Sequence, residues 1–230
     1  MVNRRGQASR AALLAAAMDV FAVKRFEEVS LAEITRAVGA AAGSVNYHFG
    51  SKRGLYLEVL EASSALFWGR LGQLTGPAEE RLVGGIEIFL DLAEQQSGPF
   101  LALVVNTPDE EIRALKERNR DTLVTVLVAE LTGSGPTPVL RAALTGCLAF
   151  IEGTVAHWIR NPQASRTQIR DLLVAQVHAT VLSAVQLDPE IALSPGAAQA
   201  LIEHPAPPHC RAAALPPARE PDPAQEEVSP

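Results

Sequence analysis

The chain has 230 residues, 47% of them hydrophobic, 20% charged and 5% aromatic, with a formal net charge of −6. That is too much apolar material for a disordered polymer, and two distant cysteines, Cys147 and Cys210, supply no disulfide framework, zinc ribbon or redox pair. Every apolar run is interrupted short of the roughly 18 to 20 residues that span a bilayer, so a cytoplasmic protein without membrane association is expected.

In chain order, Arg4 and Arg5 before the apolar stretch Ala11 to Val23 imitate a signal peptide, but Asp19 breaks the run. Leu13, Ala17, Val20 and Phe21 share one helical face, which predicts a first helix from about Ser9 to Lys24. Ser30 is a helix N-cap with Glu33 completing a capping box, and the short helix it opens ends near Val38 at Gly39. A third short helix covers Ala42 to Phe49, and Gly50-Ser51 separates it from a fourth running from Lys52 to about Leu74. There Leu55, Val59, Ala62 and Leu66 recur at the spacing of a buried stripe.

After Gly76-Pro77, proline and glycine punctuate the chain at helical lengths, predicting helices near 78–96, 99–106, 108–132, 138–161 and 165–187. Pro108 suits the first position of its helix, and Asp109, Glu110 and Glu111 suit the positive end of the dipole. No sustained alternation of period two marks a strand. The expectation is an all-α, nine-helix protein of two domains: a head at 1–51 and a helical body at 52–190. Residues 191–230 hold nine of the sixteen prolines, all after Ser194, and read as a flexible tail with room for a short helix at Ala197 to Glu203.

Residues 1–60 carry eight Lys or Arg against five Asp or Glu, whereas the remainder carries 12 against 21. A basic end on an acidic body directs a polyanion to one place. Within that end, two short helices joined by a glycine turn have the form of a helix-turn-helix, whose second helix enters the DNA major groove. Leu31, Ile34, Val38, Val45 and Phe49 form its inward face. Ala42, Gly43, Ser44, Asn46, Tyr47 and His48 face out, and Arg36 joins them as a basic candidate on the preceding helix. Small residues at the start of the second helix allow close approach, and its first backbone N–H groups suit a phosphate. Asn46 suits a bidentate pair with adenine, and Ser44, Tyr47, His48 and Lys52 suit phosphate oxygens. The alternative is that Tyr47 and His48 pack under the fourth helix and Asn46 is merely solvated. Arg4, Arg5 and Arg10 form a basic arm before the first helix, placed either on DNA or as a frayed terminus.

Leu13-Leu14, Ala16-Ala17, Phe21, Phe26, Ser30, Ile34 and Gly39, followed by Val45-Asn46-Tyr47-His48-Phe49-Gly50-Ser51-Lys52 and Leu55-Tyr56, resemble the N-terminal domain of TetR-family transcriptional regulators. The resemblance covers about residues 9–60. It implies a ligand-responsive homodimer whose heads bind a palindromic operator in double-stranded DNA, most simply as a repressor released by a small-molecule effector. It also implies that Ser30 caps the motif and touches phosphate, that Ser44, Asn46 and Tyr47 lie on the recognition helix, and that His48 and Lys52 hold the backbone. Arg25 departs from the family's usual glycine, which predicts a strained turn. Ala40-Ala41-Ala42 departs from the usual bulkier residues and shifts specificity towards Asn46 and DNA shape.

In the body, the predicted helices 138–161 and 165–187 carry apolar faces beside small residues, fitted to pack on a symmetry mate or to close the monomer core. A pocket between the fourth and eighth helices has as candidates Phe67, Trp68, Phe89, Phe100, Leu103, Asn106, Phe150, Thr154, His157 and Trp158. Arg113, Glu152 and His157 are candidates for a buried ion network. No catalytic triad, metal-ligand spacing or phosphate-binding glycine loop is present, so an enzyme, a cofactor and a metal are not expected. A helical adaptor binding protein through its acidic body is the remaining alternative, and it leaves the Tyr47 to Lys52 run without a purpose.

Overall fold

The structure, a computed structural model, describes residues 4–105, 108–132, 135 and 137–203, with the side chains of Arg4 and Arg5 outside that description. The described residues form α1 (Arg4–Val23), a 3-10 turn (Phe26–Glu28), α2 (Leu31–Ala37), α3 (Ser44–Phe49), α4 (Lys52–Leu71) and α5 (Ala78–Gln95). They continue as α6 (Ser97–Val104), α7 (Glu110–Leu131), α8 (Pro138–Arg160), α9 (Arg166–Leu187) and α10 (Pro195–Glu203). Among them there is no strand, only an isolated bridge between Thr132 and Leu193.

Local chemistry explains the boundaries. The Ser30 hydroxyl accepts from the Glu33 amide at 3.2 Å, but the Glu33 carboxylate turns away to Lys24, so half of the expected capping box forms. Asp109, rather than Pro108, caps α7, accepting from the amides of Glu111 and Ile112. Ser165 and Gln168 make a full capping box at the start of α9. Arg25 sits in extended backbone at φ −72°, and no residue other than glycine has positive φ, so the strain expected at this turn is absent among the described residues.

Two apolar clusters divide the molecule. Leu13, Phe21, Ile34, Val45, Leu55 and Val59 are fully buried in the head, where Ile112 and Leu115 of α7 join them. Leu90, Leu140, Leu144, Val155 and Leu173 anchor the larger body core. The first half of α4 belongs to the head cluster, so a boundary at Lys52 divides the chain without dividing its packing.

Contrary to the expectation that every apolar run is too short, helix α8 is long and apolar enough to cross a membrane by length and composition. Its Leu140, Leu144, Leu148, Ile151 and Val155 instead build the body core. The short helix for which the sequence left room at Ala197 to Glu203 forms as α10, with Ala197 buried and the helix packed on α5 and α7; Ile191 before it is buried as well. Ser194 starts that helix, its hydroxyl accepting from the Ala197 amide and donating to the Glu130 carbonyl. Residues 204–230 lie outside the described residues.

An ion network ties α4, α5 and α9: Arg166 reaches Glu87, Asp91 and Glu94, and Asp91 also accepts from Arg70. The hydrogen bond from Arg70, reinforced by Arg166, holds the Asp91 carboxyl below its ordinary range. A lowered carboxylate pKa stabilises the fold above the unfolded value near 3.9, and the contribution is lost as pH falls through the folded value. The unfolding midpoint of Asp91→Asn should therefore depend less steeply on pH than that of the parent below about pH 4. Denaturant titrations at several acidic pH values check this.

Candidate nucleic-acid interface and body cavities

The turn between α2 and α3 passes through Gly39 at φ +62°, a conformation in which a β-carbon is strained. Helix α3 starts at Ser44, later than the sequence suggests, with Gly43 at its N-cap and Ala42 in the turn, both exposed. Val45 and Phe49 are buried and fix its rotation. Asn46 and Tyr47 are thereby turned outward; Tyr47 is 81% exposed, which rules out its packing beneath α4. Its ring meets His48 edge-on at 4.8 Å, and Ser44 and His48 are half-buried. Ser30 and Arg36 on the preceding segment are exposed.

Two cations have structural duties that the sequence did not reveal. Lys52 Nζ lies 4.4 Å from the centre of the Phe26 ring. Arg10 is part of α1, paired with Glu58 and stacked over Phe49 at 4.8 Å, and so does not form a free arm. Phe26 and Phe21 also pack on Tyr56, whose burial pushes its hydroxyl pKa up to about 12.

Besides the packing of Ile112 and Leu115 into the head cluster, head and body meet at two notable places. Arg53 donates to both Asp109 oxygens at 3.0 Å and pairs with Glu111 at 2.7 Å; its hydrogen bond holds the Asp109 carboxyl below the usual range. At the start of α6, Gly98 lies so close to the end of α1 that a β-carbon would stand 2.3 Å from the Phe21 carbonyl oxygen. Ser97 donates to the Ala22 carbonyl beside it.

In the body, α4 to α8 enclose an apolar inner cavity of about 100 Å3. Phe67, Trp68, Phe89, Phe100 and Leu103 line it, the first four rings meeting edge-on in a chain. Its polar groups are mutually engaged. Asn119 accepts from the Trp68 indole and donates to Ser64, and Ser63 donates to Gln96. At one end Glu152 pairs with Arg120 and, at 3.6 Å, with Lys116, and all three side chains are largely buried. Arg120 Nε is buried with no hydrogen-bond partner among the described residues, leaving a donor whose desolvation costs about 1 to 3 kcal/mol.

The other expected pocket residues are elsewhere. Trp158 is buried and donates to the Ala164 carbonyl, Phe150 is exposed on α8, and Thr154 lies outside the cavity wall. His157 faces an outer cleft, and Asn106 lies outside the described residues. The expected ion network is also rearranged: Glu152 takes Lys116 and Arg120, whereas Arg113 pairs with Glu117. A second cavity of about 380 Å3 lies under α10, where His178 meets Glu79 at 2.8 Å.

Residues 13–59 match the family model described as bacterial regulatory proteins, tetR family. The fold is that of a tetR-family transcriptional regulator from Streptomyces coelicolor, with a TM-score of 0.77 at 23% identity, covering 86% of this chain and 90% of the other. A transcriptional regulator from Saccharomonospora viridis in complex with choline aligns with a TM-score of 0.61 at 21% identity, over 73% and 94% of the two chains. The transcriptional regulator FadR from Bacillus subtilis in complex with stearoyl-CoA aligns at 0.56 and 18%, over 76% and 97%. No curated protein matches the sequence.

Proposed function

We propose, from a head that carries the tetR-family regulatory domain, that this protein is a homodimeric, effector-responsive repressor that binds a palindromic operator in the cytoplasm. The observation that carries the reading is α3, a six-residue helix pinned by Val45 and Phe49 with Asn46 and Tyr47 presented to solvent. Asn46 reads a base edge, and Ser30, Arg36, Ser44, Tyr47, His48 and Lys52 hold the backbone, with Ala42 and Gly43 permitting close approach. No enzymatic step is assigned to the body.

Residues 138–160 and 166–187 supply the dimer face. Val139 and Phe150 of α8 and Leu172 and Leu182 of α9 are large apolar side chains exposed on one protomer. Among the described residues no atom comes within 4 Å of where a β-carbon on Gly146 or Gly153 would stand, so a second backbone has room to approach. Such self-complementary faces suit a two-fold axis, which sets two recognition helices roughly 34 to 36 Å apart.

The effector occupies the inner cavity. Support comes from its apolar walls and from two neighbours of the same fold that hold small molecules. Helix α6 links it to the head, because Phe100, Leu103 and Val104 line the cavity while Gly98 and Ser97 touch the end of α1. An effector that shifts α6 therefore shifts the head.

Selection from a random duplex pool tests the reading. An enriched palindrome with two half-sites is expected, and enrichment of no sequence by a folded dimer would overturn it. Coupling between effector and operator should amount to about 1 to 3 kcal/mol in both directions. Equal effector affinity with and without operator, measured by calorimetry, would sink the regulatory mechanism.

A further inference from the structure

The inner cavity, at about 100 Å3, is well below the roughly 300 Å3 at which ligand pockets begin. A molecule held there must continue beyond it. Towards the second cavity the shared walls are Trp68, fixed by Asn119, and Leu123. On the opposite side Val104, Lys116, Arg120 and Glu152 line both the inner cavity and an outer cleft of about 520 Å3 between α6, α7 and α8. That junction is made of long charged side chains, which move more easily than a buried indole.

The two compartments differ in chemistry. Phenylalanine rings dominate the inner one, whereas Arg113, Lys116, Arg120 and Arg160 face the outer one against Glu117 and Glu152. Glu117 is spent on Arg113, and Glu152 is shared by two cations. The buried Arg120 Nε is left with no acceptor among the described residues. An excess of cations and an unpartnered guanidinium donor at the mouth of an apolar chamber are what an anionic head requires.

Resting on the reading of the body as an effector domain, we propose that the effector is an amphipathic anion. Its apolar chain fills the inner cavity, and its carboxylate or phosphate binds at Arg120, drawing the guanidinium from Glu152. The chemistry is shared by a free fatty carboxylate and by an acyl thioester with a phosphate-bearing carrier. The outer cleft also touches Gly153 and His157, which border the face given to the dimer, so the head group lies where it can alter the angle between protomers.

Calorimetry on the full chain with octanoate, octanoyl-coenzyme A, 1-octanol and octylamine tests this. At least one anion should bind about tenfold or more tighter than the alcohol and the amine, with affinity falling as salt rises. Tighter binding of the thioester, reduced by Arg113→Ala and Arg160→Ala, identifies the carrier-bound source; tighter binding of octanoate identifies the free acid. Arg120→Gln should bring anion and alcohol to near parity. Glu152→Gln, which removes the internal competitor, should tighten anion binding several-fold and keeps the test decisive if Arg120→Gln does not fold. Equal or tighter binding of the alcohol or the amine, or no binding of any probe, would overturn the anionic assignment. Operator selection, which uses none of these probes, reports separately on the head.

Discussion

Replacing Tyr47 with alanine is expected to leave the unfolding midpoint unchanged and to weaken binding to every duplex tested. The side chain is 81% exposed, and among the described residues its one ring contact is the edge of His48, so its removal creates no cavity. A lost hydrogen bond to a charged phosphate costs about 1.5 to 3 kcal/mol per protomer. A dimer suffers the loss twice. Asn46→Ala should behave differently, relaxing preference at one base position by about 1 to 3 kcal/mol while leaving nonspecific binding intact. Binding isotherms on the selected operator and on a scrambled duplex separate the two. A Tyr47→Ala protein with full operator affinity would remove this residue from the interface. Lys52→Ala is a less clean probe, because its cation rests on Phe26 and its removal also disturbs the packing around Tyr56.

Gly98→Val should be the most damaging single change at the junction of head and body. A β-carbon there meets the Phe21 carbonyl oxygen at 2.3 Å and the Lys24 carbonyl at 3.1 Å, and backbone cannot swing aside as a side chain can. Forcing α6 and α1 apart costs about 1 to 3 kcal/mol or more, as overpacking does elsewhere. The unfolding midpoint should fall, and at permissive temperature the protein should bind operator while responding less to effector. Unaltered stability together with an unaltered effector response would show that this contact carries neither load.

The head was legible because its signals are local. Ser30, Gly39, Val45, Phe49 and Ser51 each act on neighbours within a few residues, and their order alone sets two short helices and the turn between them. Phe67, Phe89 and Phe100, named as pocket candidates by their aromatic character on the fourth to eighth helices, do line one cavity. Its polar lining was not legible, since Asn119 meets Trp68 and Ser64 across more than fifty residues of chain and no periodicity encodes that encounter. Helix α8 misled for a related reason. It presents one side to the core, one to α9 and one to solvent, so aromatic character could not tell that Trp158 faces Ala164 and Phe150 faces out. The sequence left room for α10 but not for its docking, because one serine cap and a few buried small or aliphatic residues suffice to hold a short helix on a body already formed.

Helix α4 is an unbroken rod of twenty residues with Leu55, Val59 and Leu60 in the head cluster and Phe67 and Trp68 at the cavity wall. At 1.5 Å per residue it is about 30 Å long, so a tilt of about 10° about one end displaces the other by roughly 5 Å. Successive base pairs are only about 3.4 Å apart along a duplex. In the proposed mechanism, a lever of that length would turn a side-chain rearrangement around a small ligand into more than one base-pair step of misregister at the far end. If the proposed release operates, the mechanical advantage of the rod, rather than the strength of any contact beside the ligand, sets how little movement suffices for it.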